Sequence, residues 1–158
     1  MDKSFNEKIM RKAIALSEKS VHTGGGPFGA IIVKDGKIIA SGHNMVTLKN
    51  DPTAHAEISV IRKAARKLGS FSLSGCEIYT SCEPCPMCLS AIYWARIDKI
   101  YYANTKKDAA KISFDDSFIY EQIALPYSKR SIPVVQLLRN EAVEVFEIWK
   151  NKTDKTAY

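Results

Sequence analysis

"CEIYTSCEPCPMCLSAIYWARIDKIYYAN", residues 76–104, decides the fold. "CEIYTS" reads as a strand, "CPMCLSAIYWARI" as a short apolar helix and "KIYYAN" as a second strand. Pro86 lies just inside the helix start, where its missing N–H is harmless. Strand, helix and strand in succession predict a right-handed crossover, and therefore two parallel strands.

Upstream, "FGAIIVKDGKIIASG" (28–42) places two apolar runs around Asp35 and Gly36, the pattern of a tight hairpin. An antiparallel hairpin beside a parallel pair makes the sheet mixed. "SFNE" (4–7) matches a capping box and predicts a helix from about Phe5 to Val21, its core stripe running through Phe5, Ile9, Ala13 and Leu16. The glycines at 24–26 end it. "GGGPFGAIIV" (24–33) lacks the Gly-Lys-Ser/Thr of a triphosphate loop and reads as a turn.

After "NDPTAHAE" (50–57), the apolar residues Ile58, Ile61, Ala65 and Leu68 recur at helical spacing, and Gly69 stops the run. Downstream, "FDDSFIYEQIAL" (114–125) reads as a helix, "IPVVQLL" (132–138) fits either strand or helix, and "EAVEVFEIWK" (141–150) is a last amphipathic helix. The expected architecture is a three-layer α/β/α domain around a central mixed five-stranded sheet.

With 158 residues, 46% hydrophobic and 25% charged, the chain has the make-up of one globular domain spanning residues 1–158, not of a disordered or fibrous protein. Charge interrupts every apolar run of "MDKSFNEKIMRKAIALSEK" (1–19), so neither a signal peptide nor a membrane span is expected there. The expected location is the cytoplasm, where thiols stay reduced. Three of the four cysteines fall within "SCEPCPMC" (81–88), and in that setting metal binding or catalysis is favoured over disulfides. The net charge of +6 permits contact with nucleic acid, but the basic residues are scattered as on solvated helix faces.

His55, Cys85 and Cys88 are donors of the kind zinc prefers, and the Cys-x-x-Cys pair at a helix start puts both sulfurs on one face. Three protein ligands leave a fourth position for water, whose pKa on zinc falls from about 15.7 to roughly 7. Glu57, two residues from His55, is placed to take and return that water's proton. The competing arrangement is a closed site completed by Cys82, which would be a staple with no use for Glu57. Cys82 ends an extended strand, out of phase with the helical pair, which favours the open site. Cys76 reads as a small buried hydrophobe.

His-x-Glu followed by Pro-Cys-x-x-Cys is the signature of zinc nucleobase deaminases, and "HAE" and "PCPMC" both stand here. The chain resembles the cytidine deaminase superfamily over nearly its full length, and "FDDSFIY" (114–120) resembles its bacterial guanine deaminase branch. That resemblance implies the cytidine deaminase-like fold and one zinc per subunit at His55, Cys85 and Cys88. It further implies a small nucleobase held by Phe28, Asn44 and Asp116, with Tyr158 closing the pocket. It also implies a homodimer in which the C-terminal helix and tail, about residues 140–158, are exchanged between subunits.

The implied reaction is hydrolytic deamination of guanine to xanthine and ammonia by zinc-bound hydroxide, with Glu57 as proton shuttle. The alternatives are a tRNA adenosine deaminase, a cytosine deaminase, and a zinc-stapled interaction module without activity. On residues alone, Asn44 could favour a turn, Asp115 or Asp116 could cap a helix, and Phe28 could be core.

Overall fold

Asp35 and Gly36 both take positive φ, 49° and 73°, the pairing a two-residue hairpin of primed type demands. They join β1 (Gly29–Lys34) to β2 (Lys37–His43), as the sequence pattern predicts. A computed structural model describes residues 2–157. Among these, β3 (Cys76–Cys82) and β4 (Lys99–Asn104) complete a mixed sheet of four strands in the order β2-β1-β3-β4. β1 runs antiparallel to both β2 and β3, whereas β3 and β4 are parallel across the expected crossover.

Residues 2–116 form one compact unit, which contains the whole sheet. Period two along β1 sends Ala30 and Ile32 to one face and Ile31 and Val33 to the other, all fully or nearly fully buried. On the first face they meet Val60 and Ala64 of α3 (Ala56–Leu68) and Ile92 of α4 (Pro86–Trp94). On the second face they meet Ile9 and Ala13 of α1 (Lys3–His22). Helices therefore cover both faces of the sheet, the three-layer arrangement expected. Each buried isoleucine here contributes roughly 2 kcal/mol of transfer free energy. Gly29 lets α1 approach closely, since a Cβ there would lie 2.3 Å from the Ala13 carbonyl oxygen.

The capping box expected at Ser4 does not form. α1 starts two residues earlier, with Asp2 in the N-cap position, so Ser4 lies within the helix and Glu7 pairs with Arg11 at 3.0 Å instead. Two short helices escaped the periodicity reading because they are under two turns long: α2 (Val46–Lys49) and α5 (Lys106–Lys111).

Residues 117–157 form the second unit. α6 (Ser117–Ala124) is followed by a 3-10 turn at Tyr127–Lys129 and by α7 (Arg139–Asn151). Arg130 closes the C-terminal end of α6, donating to the carbonyls of Leu125 at 3.0 Å and Ile123 at 3.2 Å. The fifth strand of the expected sheet is absent from the described residues, and "IPVVQLL", which fits either strand or helix in sequence, leaves 133–138 in neither. Pro133 removes a ladder donor, and the apolar side chains of Ile132, Val134, Val135, Leu137 and Leu138 are all exposed without the alternation a half-buried strand needs.

Candidate active site

His55 and Cys85 are the N-cap residues of α3 and α4, with extended backbone at φ −62°, ψ 159° and φ −66°, ψ 169°. An N-cap side chain ordinarily accepts from its own helix's free amides, but neither does so here. Both turn instead toward a common point, at the positive ends of two helices, where thiolates and carboxylates are favoured.

The His55 Nδ1 lies 3.6 Å from Cys85 Sγ and 3.5 Å from Cys88 Sγ, and the three donor atoms all fall within 4.8 Å of one another. Two ligands held at about 2.0 Å (nitrogen) and about 2.3 Å (sulfur) on a tetrahedral ion stand about 3.5 Å apart. The donor set therefore fits zinc in both chemistry and spacing. Cys88 donates toward Cys85 and holds that thiol down at about 4, while the same contact and burial push Cys88 up. The hydrogen bond with Cys85 raises His55 above its ordinary value, against the effect of burial, and the charge on Cys85 adds to the rise.

Cys82 stays outside this cluster. Its thiol donates to the Thr105 carbonyl at 3.7 Å and is pushed up to about 11 by burial. Cys76 is fully buried beneath the sheet's α3 face.

Glu57, in the first turn of α3, is only 5% exposed. Its Oε1 accepts from the Thr80 hydroxyl at 3.0 Å, and its Oε2 lies 3.5 Å from Cys88 Sγ. Burial raises its carboxyl above the usual range, the first requirement for a group that must hold a proton near neutral pH. The structure thus brings together His55, Glu57, Cys85 and Cys88, from two helix starts widely separated in sequence.

Asn44 follows β2 and is 5% exposed, its Oδ1 accepting from the Gly26 amide at 3.3 Å and the Val46 amide at 3.2 Å. These bonds give Asn44 the turn-stabilising role. Its oxygen is committed to the backbone, and its amide N–H groups are what it can offer a ligand. Phe28 packs partly against the core and meets Phe114 edge-on, with centroids 5.0 Å apart. Partial burial raises the Asp116 carboxyl, and the charge of Cys85 adds to the rise, so Asp116 senses the same centre. Tyr158 lies outside the described residues.

Two residues that the sequence reading passed over belong here. Thr80 and Ser81 are both buried, Thr80 holding Glu57 and Ser81 accepting from the Gly29 amide at 3.0 Å, next to Phe28. The signal for Thr80 was its place in β3: after Cys76 and Ile78 it is the next residue on the apolar face toward α3.

The sequence model of the cytidine and deoxycytidylate deaminase zinc-binding region matches residues 3–104. The chain is 52% identical over 154 residues to the guanine deaminase of Bacillus subtilis (strain 168), a match covering 97% of this chain and 99% of that one. The X-ray structure of guanine deaminase from Bacillus subtilis superposes with a TM-score of 0.94 at 51% identity, over 100% of this chain and 99% of that one. A tRNA-specific adenosine deaminase of Aquifex aeolicus is 42% identical over 101 residues, 64% of this chain and 67% of its own. A solved protein in complex with 8-azaguanine is 35% identical with a TM-score of 0.68, over 70% of this chain and 65% of that one. The matched residues span His55, Glu57, Cys85 and Cys88, and the chain therefore belongs to the cytidine and deoxycytidylate deaminase zinc-binding family.

Proposed function

We propose that this chain is a zinc-dependent hydrolase that deaminates guanine to xanthine and ammonia. The observation that carries the reading is a buried carboxylate of raised pKa, Glu57, beside a His-Cys-Cys donor set of zinc spacing. The choice of guanine rests on 52% identity over 97% of the chain to a guanine deaminase, against 42% over 64% and 32% over 90% for two tRNA-specific adenosine deaminases.

His55, Cys85 and Cys88 would hold the zinc, which when bound supplies the Lewis acidity that makes a water acidic enough to react near neutral pH. Glu57 takes one proton of that water and gives it to N3 of the ring as the oxygen bonds to C2. The second proton leaves by the same carboxylate for the departing amine, and the C2–N bond breaks. Each transfer needs a group stable in both states, and burial provides this by raising the Glu57 carboxyl.

In this reading, the Asn44 amide donates to an acceptor on the ring, the Asp116 carboxylate accepts from ring or exocyclic N–H groups, and Phe28 lies along the base. Tyr158 closes the pocket, by resemblance alone. The chain acts as one enzyme over 1–158, as a homodimer with the segment from about 140 exchanged. Among the described residues no helix is long and apolar enough to cross a membrane, and a site built on free thiols suits the reducing cytoplasm.

The test is xanthine formation from guanine by the zinc-loaded protein beside Glu57→Gln. Wild-type turnover with a loss of at least about 100-fold in the variant is expected. Turnover of adenosine in tRNA or of cytosine in place of guanine would move the assignment within the family, and full activity of Glu57→Gln would remove the shuttle.

A further inference from the structure

We propose that Thr80 is the positioning residue of Glu57: its buried hydroxyl holds Oε1 of the carboxylate and leaves Oε2 as the oxygen that carries protons. The inference rests on the proton-shuttle reading of Glu57.

The geometry is asymmetric. Oε1 accepts from Thr80 Oγ1 at 3.0 Å, whereas Oε2 is the oxygen directed at the donor cluster, 3.5 Å from Cys88 Sγ. A glutamate side chain has three rotatable bonds, so a first-turn helix position alone does not fix where its carboxylate points. Proton transfer needs that fixed, because misplacement by about 1 Å can cost on the order of 100-fold.

Thr80 is suited to the task by its place. β3 is hydrogen-bonded on both sides, and Thr80 itself is paired with Ala30 of β1 and Tyr102 of β4. Its side chain is wholly buried and β-branched, so the hydroxyl is delivered from a stiff rotamer on a doubly anchored strand. The bond thus ties the mobile end of a helix residue to the sheet beneath it.

The competing role for Thr80 is purely structural. Thr80 Oγ1 also lies 3.0 Å from the Cys82 carbonyl oxygen, which by itself would satisfy a buried hydroxyl. The single hydroxyl proton can serve only one of the two oxygens at a time. If the Cys82 contact were the whole role, removing the hydroxyl would loosen the end of β3 and disturb the adjoining metal loop, with turnover lost only as zinc or folded protein is lost.

Thr80→Val, Thr80→Ser and Glu57→Gln, each compared with wild type, separate these readings. Valine keeps the shape and the strand preference but has no hydroxyl, and serine keeps the hydroxyl. Zinc per chain, melting temperature, kcat and KM are measured on each. The expected result for Thr80→Val is a kcat lowered about 10- to 100-fold, a KM within about twofold, and full zinc content. Thr80→Ser should recover most of the loss. Thr80→Val with kcat within about threefold of wild type overturns the proposal, as does Thr80→Ser falling as far as valine, or a loss of zinc that parallels the loss of turnover. An inactive Glu57→Gln beside a fully active Thr80→Val sinks the Thr80 role alone. An active Glu57→Gln, or a zinc-loaded wild type without turnover, sinks the reading beneath it.

Discussion

Cys82 and Cys85 are three residues apart and behave in opposite ways. Burial, with the charges of Glu57 and Glu83, pushes Cys82 up to about 11, while Cys88 and His55 hold Cys85 down at about 4. Position decides which sulfur serves: Cys85 and Cys88 gather with His55 within 4.8 Å of one another, whereas Cys82 is turned to the Thr105 carbonyl. Cys82→Ala is expected to retain one zinc per chain. Cys85→Ala is expected to lose affinity by more than the roughly 10- to 100-fold that an outer-shell change costs. Metal analysis after gel filtration against a weak chelator distinguishes them, and equal loss in both would place Cys82 in the site. At this scale the donors were legible, because Cys-x-x-Cys at a helix start and His-x-Glu at another are local patterns. Thr80 and the committed oxygen of Asn44 were not, since their partners Glu57, Gly26 and Val46 are fixed only by the packing of α3 and by the turn after β2.

The elements were legible wherever the chain punctuates itself. Asp35-Gly36 set the hairpin, Pro86 started α4 at its first position, and Gly69 ended α3 in left-handed conformation. Helix starts were harder. "SFNE" has the capping-box residues but lies inside α1, whereas Thr105 and Asp108 form the box at the head of α5. The difference lies in what precedes each. Thr105 follows β4, and the strand leaves it at φ −87°, ψ 163°, the extended backbone an N-cap needs. In that box the Thr105 side chain and amide both hydrogen-bond Asp108 and hold its carboxyl down at about 2. A folded-state pKa below the ordinary 3.8 means the contribution is complete above that value and is lost only as pH falls through about 2. Thr105→Ala is therefore expected to lower the melting temperature by about 2–4 °C, equally at pH 5 and pH 8, with Thr105→Ser recovering most of it. A melting temperature unchanged by Thr105→Ala would mean the box contributes nothing to the fold.

At the scale of the molecule, the two units differ in kind. Residues 2–116 have a core on both faces of the sheet, but none of residues 117–157 is buried. Phe118, Ile123, Val135, Leu137, Phe146 and Ile148 are each more than half exposed. An amphipathic helix such as α7 gains most of its stability from packing its apolar face, and a segment this apolar left in water favours association. A second copy of the chain is the occupant in the dimer proposed above. Phe146→Glu combined with Trp149→Glu is expected to shift the solution mass, measured by light scattering, from two chains toward one. Exchange of the C-terminal segment adds a sharper expectation, because each site would then draw its carboxylate from one chain and its closing tail from the other. Glu57→Gln and Tyr158→Ala are each expected to lose activity alone. Co-expressed, half of the dimers are mixed, and each mixed dimer holds one site with both residues intact. Recovery to about one quarter of wild-type turnover is the expected outcome for a two-fold dimer. Without exchange, each site draws both residues from one chain, and co-expression yields only the average of the two variants.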